Sequence, residues 1–162
     1  MNRWDSLIQQ VTQLLQVRRL GSLVFARCVW QSPTPHAQLA PKLARLLDAL
    51  CQWMQQPPEC IRANRSADNR DTTLVVELRP FALAVITHIA VAPSDQTSAQ
   101  SDAYMRGYVR PLGLDLFLLG TLGAVYLDGT QADWPHEPLL IPDLPPDHPL
   151  RNQVEHVLSG TQ

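Results

Sequence analysis

The 162 residues, 45% hydrophobic and 17% charged, suffice for one hydrophobic core and exclude a chain disordered throughout. A net charge of −2 without a long run of either sign lacks the basic footprint of a general nucleic-acid binder, and Lys42 is the only lysine among basic residues that are otherwise arginine. No uninterrupted apolar run approaches the roughly 18 residues of a membrane span.

Trp4, Leu7, Ile8, Val11, Leu14 and Leu15 recur at helical spacing, with Gln9, Gln10, Gln13 and Gln16 on the other side. This predicts an amphipathic helix that closes on Arg18 and Arg19, where cations meet the negative end of the dipole, and stops at Gly21. The alternating polar and apolar groups of Met1 to Val17 lack the apolar core of a signal peptide, so an unexported, cytoplasmic protein is expected. Ser22 to Trp30 follows as a strand with apolar residues on both faces, Leu23, Phe25 and Val29 against Val24, Ala26, Cys28 and Trp30, the pattern of a strand buried on both sides.

After a loop at Gln31 to Pro35, Leu39, Leu43, Leu46, Leu47, Leu50, Trp53 and Met54 form the stripe of a second helix. Pro41 fits only a first turn, which sets the start near Ala40, and Pro57-Pro58 stops the helix. Cys60 to Asn64 is a short strand, followed by a polar turn from Arg65 to Asp71. Thr73 to Leu78 and Phe81 to Ala92 alternate as strands on either side of Arg79-Pro80 and predict an antiparallel hairpin. Ser94 to Tyr108 reads either as a weak helix or as a long loop. Leu114 to Leu119 and Leu122 to Leu127 flank Gly120-Thr121 as a second hairpin, with a turn signal at Asp128-Gly129.

Residues 130–149 contain six prolines from Pro135 to Pro149 and predict a stiff arm anchored by Trp134, Leu139, Leu140, Ile141 and Leu144. These five are the candidate partner-binding residues. Asp147 is placed to cap a closing helix with Pro149 in its first turn, Leu150, Val154, Val157 and Leu158 on its apolar face, and Gly160 at its end. The whole reads as a single α+β domain over residues 1–162, a mainly antiparallel sheet covered by helices.

From the second helix onward the order is helix, three strands, helix, two strands, helix, and Gly113-Leu-Asp-Leu-Phe-Leu-Leu-Gly120 is followed by Val125-Tyr-Leu-Asp-Gly129. This order resembles the secretion-chaperone-like fold of type III secretion chaperones and YbjN-like bacterial proteins over about Ala37 to Ser159. The first helix and strand are then an N-terminal addition. The resemblance implies a non-catalytic, chaperone-like or protein-binding role and self-association as a homodimer; it carries over no residues.

Candidate chemistry is sparse. His88 on the second strand of the first hairpin becomes a general base if Glu77 reaches it from the neighbouring strand. The alternative to a binding role is therefore a small hydrolase that uses His88 or a cysteine. Cys28 and Cys51 sit among apolar residues, Cys60 follows the proline stop, and none of the three has C-x-x-C spacing, so reduced thiols are expected. Neither G-x-G-x-x-G nor a phosphate loop occurs, which disfavours nucleotide chemistry. His136, Glu137, Asp143, Asp147, His148, Glu155 and His156 cluster in sequence, but an extended proline-rich run holds such groups too far apart for one ion. No catalytic residue, metal or cofactor is expected, and the expected partner is a protein, with no nucleic acid and no membrane.

Overall fold

In the computed structural model, residues 3–17, 20–91, 113–127 and 139–160 are described. Helix α1 (Arg3–Val17) leads into strand β1 (Leu23–Ser32), a single 3-10 turn at His36–Gln38, and helix α2 (Leu39–Met54). Strands β2 (Pro58–Arg65), β3 (Asp71–Leu78), β4 (Ala82–Ala90), β5 (Leu114–Gly120) and β6 (Gly123–Leu127) follow, then helix α3 (Pro149–Ser159). The strands form one six-stranded mixed sheet in the order β2-β3-β4-β1-β5-β6. β1 runs parallel to β4, and the other four pairings are antiparallel. The expected hairpins are present, with Leu78 opposite Ala82 in the first and Gly120 opposite Gly123 in the second.

This topology corrects the expected place of the N-terminal elements. β1 is no addition to a core that begins at the second helix. It lies inside the sheet, hydrogen-bonded to β4 on one edge and β5 on the other. A parallel pair cannot be joined by a tight turn, so α2, β2 and β3 make up the long connection between β1 and β4.

Among the described residues, the core lies on one face of the sheet. Ala26, Cys28 and Trp30 of β1, Leu74, Val76 and Leu78 of β3, Ala84 and Ile86 of β4, and Leu116 and Leu118 of β5 are buried in one cluster with Trp4, Leu7 and Val11 of α1 and the apolar stripe of α2. Leu23 joins them although its parity is that of Phe25, because the register of β1 against β5 shifts between these two residues. The expectation that β1 is buried on both sides is thereby corrected: Arg27 is exposed on the other face, and Phe25 and Val29 beside it are half-buried. The small side chains of Ala82 and Ala84 on β4 lie under the helix layer, while the larger Leu83, Val85 and Ile89 face away from it.

α2 begins at Leu39, which puts Pro41 in the first turn, where its missing N–H leaves no bond unmade. Gln55 ends the helix in the left-handed region, at φ 54°, and its N–H returns to the carbonyls of Cys51 and Gln52. Gly21 (φ 72°) also needs that region. At Gly120 the reason for glycine is space: a Cβ there would overlap the carbonyl oxygen of Leu20, the group that accepts the Leu122 N–H at 2.9 Å.

Leu139 to His148 runs as an extended segment without helix or strand. Leu139, Ile141 and Leu144 turn into the chain's own core, each 3% exposed or less, whereas Leu140 is 79% exposed. Polar contacts fix the backbone between them. Lys42 on α2 donates to the Ile141 carbonyl at 3.0 Å and to Asp143 at 2.8 Å, Leu144 N–H donates to the Pro41 carbonyl at 3.2 Å, and Arg151 donates to the Leu144 carbonyl at 3.0 Å. α3 is capped by His148, whose Nδ1 accepts the Leu150 N–H at 3.3 Å, in place of the expected Asp147. Trp134, the expected helix or loop at Ser94 to Tyr108 and the turn signal at Asp128-Gly129 lie outside the described residues. Among the described residues, no helix is long and apolar enough to cross a membrane.

Two substitutions test this packing by chemical denaturation. Gly120→Ala is expected to destabilise the fold by about 1–3 kcal/mol, because its new methyl meets backbone that cannot rotate away. Leu144→Ala is expected to cost about 2–4 kcal/mol, the range for emptying a fully buried leucine site, whereas Leu140→Ala should stay within ~0.5 kcal/mol.

Candidate functional site

Among the described residues, two places gather side chains that carry chemistry. The first is a buried polar group where β1 and β4 end together. Their parallel register sets Trp30 beside His88, and the rings lie 4.7 Å apart at 50°. His88 and Ser32 are 2% and 3% exposed, and His88 Nε2 lies 3.0 Å from Ser32 Oγ. Ser32 Oγ donates to Thr34 Oγ1 at 2.8 Å and accepts the Thr34 N–H at 3.2 Å. A serine nucleophile requires donation from the hydroxyl to an unprotonated ring nitrogen, whereas here the Ser32 hydroxyl is directed at Thr34. Burial pushes the His88 pKa down to about 4, against a hydrogen bond to the Ser32 backbone that favours the charged ring.

The expected partner of His88 is elsewhere. Glu77 stands opposite Leu83 in the register, on the other face of the sheet, and pairs with Arg62 at 3.1 Å, while the β3 residue opposite His88 is Thr72. The cysteines fare no better as nucleophiles. Burial pushes the Cys28 thiol far above its ordinary range and that of Cys51 up to about 11, so neither forms a thiolate near neutral pH. Cys60 lies half-buried on β2, across from Glu77. The tail acids and histidines are spread over separate tasks: Asp143 binds Lys42, Glu155 binds Arg151 at 2.7 Å, and His148 caps α3. Among the described residues, no group of three histidines, cysteines or acids is placed to hold a metal ion, and His136 and Glu137 lie outside them.

The second place is a hollow of about 470 Å³ on the sheet face away from the helices, lined by Phe25, Arg27 and Val29 of β1, Asp115 and Phe117 of β5, and Tyr126 of β6. Arg27 stands opposite Phe117 and Val29 opposite Asp115, so the cation and the anion are diagonal neighbours on adjacent strands. Phe25 and Phe117 meet at 6.3 Å and 56°, and Phe117 pairs in turn with Tyr126. Aromatic walls around one positive and one negative group are suited to holding a molecule or a surface that carries both apolar area and charge. Sequence reading missed these residues. Their signal was Arg27 and Asp115, each in the middle of an apolar strand at the parity of its aromatic neighbours, which marks that face as accessible to water.

No protein-family profile matches the chain, and no curated protein matches it. Solved structures do. The chain is similar to scyllo-inositol dehydrogenase from Lactobacillus casei, at 13% identity and TM-score 0.54 over 99% of this chain and 52% of that one. It is similar to UDP-N-acetylglucosamine 3-dehydrogenase from Acidithiobacillus ferrooxidans, at 14% identity and TM-score 0.53, with 94% and 49% covered. A myo-inositol dehydrogenase from Lactobacillus casei, solved with NAD(H) and myo-inositol, gives 12% identity and TM-score 0.51 over 74% of this chain and 35% of that one. The chain therefore spans from about a third to half of these structures, and at such identities the likeness is one of fold.

These findings overturn the expected resemblance to secretion chaperones and YbjN-like proteins, and with it the non-catalytic chaperone-like role that rested on it. The physical reason lies in β1. The resemblance treated it as an appendage, whereas its parallel pairing with β4 makes it part of the sheet the dehydrogenase structures match. The hydrolase alternative finds no support in the geometry, since His88 and Ser32 are buried and no carboxylate stands beside the ring among the described residues.

The depressed pKa of His88 gives folding a pH dependence. Below the ordinary value of 6.5 the unfolded chain takes up a proton that the folded chain refuses until about pH 4, so this contribution to stability is whole above pH 6.5 and is lost as pH falls from 6.5 to 4. Comparing denaturation midpoints of the natural chain with His88→Gln, which cannot titrate there, should show a shallower pH slope in the variant across that window. Equal slopes would mean that His88 titrates normally.

Proposed function

We propose that this chain provides an oxidoreductase with its sheet platform, the part that faces a dinucleotide-binding unit and shapes the space for a polyol or sugar substrate. The observation that carries the reading is the superposition of almost the whole chain on about half of two dehydrogenases, one acting on scyllo-inositol and one on a nucleotide-linked sugar. The other half of the chemistry needs a different construction. Dinucleotides bind at the carboxyl ends of an open parallel sheet, over a glycine-rich turn that lets backbone N–H groups meet the pyrophosphate. Here one strand pairing of five is parallel, and the glycines of the sequence form no G-x-G-x-x-G. Hydride transfer by this chain accordingly depends on a dinucleotide site supplied by another unit.

The test has two arms. NADH titrated into the purified chain should give no saturable change in nicotinamide or tryptophan fluorescence up to ~1 mM, that is, binding weaker than about −4 kcal/mol. Cross-linking in the native host should join the chain to a polypeptide that carries a dinucleotide fingerprint. Micromolar NADH binding by the chain alone, or cross-links that never reach such a polypeptide, would overturn the reading.

A further inference from the structure

Among the described residues, Arg65 is a cation on the core side of the sheet with no anion beside it. On β2, Ile61 and Ala63 pack against the core, and Arg65 continues their alternation. The register carries the row onward: Arg65 stands opposite Thr72, Thr72 opposite His88 and His88 opposite Trp30, and the last three are buried on the face that the helices cover. The row lies at the end of the sheet where β1 and β4 finish. The guanidinium in it is almost unused. Nη2 donates to the Leu158 carbonyl at 3.5 Å, the outer limit of a hydrogen bond, and Nε is buried without an acceptor. Arg62, on the outer face of the same strand, instead holds Glu77 at 3.1 Å. Further along the row the indole Nε1 of Trp30 is also buried without an acceptor. Both open atoms are donors, so what this row lacks is an acceptor.

His36, in the turn after β1, belongs to the same field. Burial first and the charge of Arg65 second hold its pKa below the ordinary 6.5, and its own charge adds to the burial that lowers His88. The guanidinium and the two imidazoles are thus within electrostatic reach of one another, and no acid stands in the 3-10 turn or the first turn of α2 to offset them. We propose that Arg65 and His36 bind a small oxyanion of the phosphate class, a terminal phosphate dianion, at this end of the sheet. The anion has a way in, since His36 is exposed and Arg65 only half-buried. A guanidinium fork matches two oxygens of one phosphate, and an imidazole from a separate turn suits a tetrahedral group with further oxygens better than a planar carboxylate. A bound dianion also favours the imidazolium, so His36 becomes a second charged donor on binding. The bridging pyrophosphate of a dinucleotide has no such terminal group, and the proposal does not depend on the oxidoreductase reading.

Inorganic phosphate titrated into the full chain at low ionic strength, followed by the imidazole C–H resonances in the NMR spectrum, tests it. The His36 signal, identified by its loss in His36→Gln, should move and saturate with a dissociation constant of about 1 mM or tighter. Arg65→Gln should weaken binding at least tenfold, and Arg65→Lys, which keeps the charge without the fork, should weaken it less. Arg62→Gln, on the outer face, should leave it unchanged. Because Arg65 also touches α3, His36→Asp at an exposed position serves as the second variant: folded by circular dichroism, it should no longer saturate. Acetate should bind at least tenfold more weakly than phosphate. Glucose 6-phosphate separates the sources of the group, since tighter binding than inorganic phosphate assigns the site to phosphate on a larger metabolite and equal binding assigns it to the free ion. The proposal is overturned if neither phosphate saturates the chain below ~10 mM, if acetate binds as tightly, or if binding survives both Arg65→Gln and His36→Asp.

Discussion

The structure depends on the placement of β1. It is the strand that joins the two halves of the sheet: the β2–β3–β4 meander on one side and the β5–β6 hairpin on the other. Each half alone has a hydrogen-bonding edge that must be paired or covered, and β1 pairs one from each. Its core-facing residues, Ala26, Cys28 and Trp30, also sit in the middle of the single apolar cluster. The parallel pairing with β4 in turn requires the long connection that carries α2 over the sheet, and α2 supplies Lys42 and Pro41 as the anchor points for the segment before α3.

Much of this was legible in the residues. The apolar stripes of α1 and α2, the two hairpins and the closing helix follow from periods of 3.6 and 2 and from the prolines and glycines between them. The order of the sheet was not legible, because a run such as Leu-Val-Phe-Ala-Arg-Cys-Val-Trp specifies a strand without naming its neighbours. The partners of β1 are β4 and β5, both far along the chain, and no local pattern encodes such pairing. Face assignment failed for a related reason. On β4 both faces carry large apolar residues, Leu83, Val85 and Ile89 on one and Ile86 on the other, and the helices lie over Ala82, Ala84, Ile86 and His88. Arg27 and Asp115 held the correct information, since a charge tolerated in mid-strand reports the side that water or a partner reaches.

The same geometry separates position from chemistry at the two candidate places. The Ser32–His88 contact contains residue types found in hydrolases, but both side chains are buried and the serine hydroxyl is directed at Thr34, so it is a satisfied polar joint between two strand ends. The hollow around Arg27 and Asp115 is accessible, aromatic and charged. Recognition is what such a surface does best.

Synthesis gives the central position of β1 another meaning. The strand leaves the ribosome well before its partner β5, so β1 waits with one edge unpaired while the segments between them are made. Its apolar side chains and open backbone are then a template for any other extended segment, including β1 of a neighbouring nascent chain. In a polysome, where several such chains are held close together, crowding of this one strand sets the hazard of misassembly, and Arg27 at its midpoint is the charge that works against it.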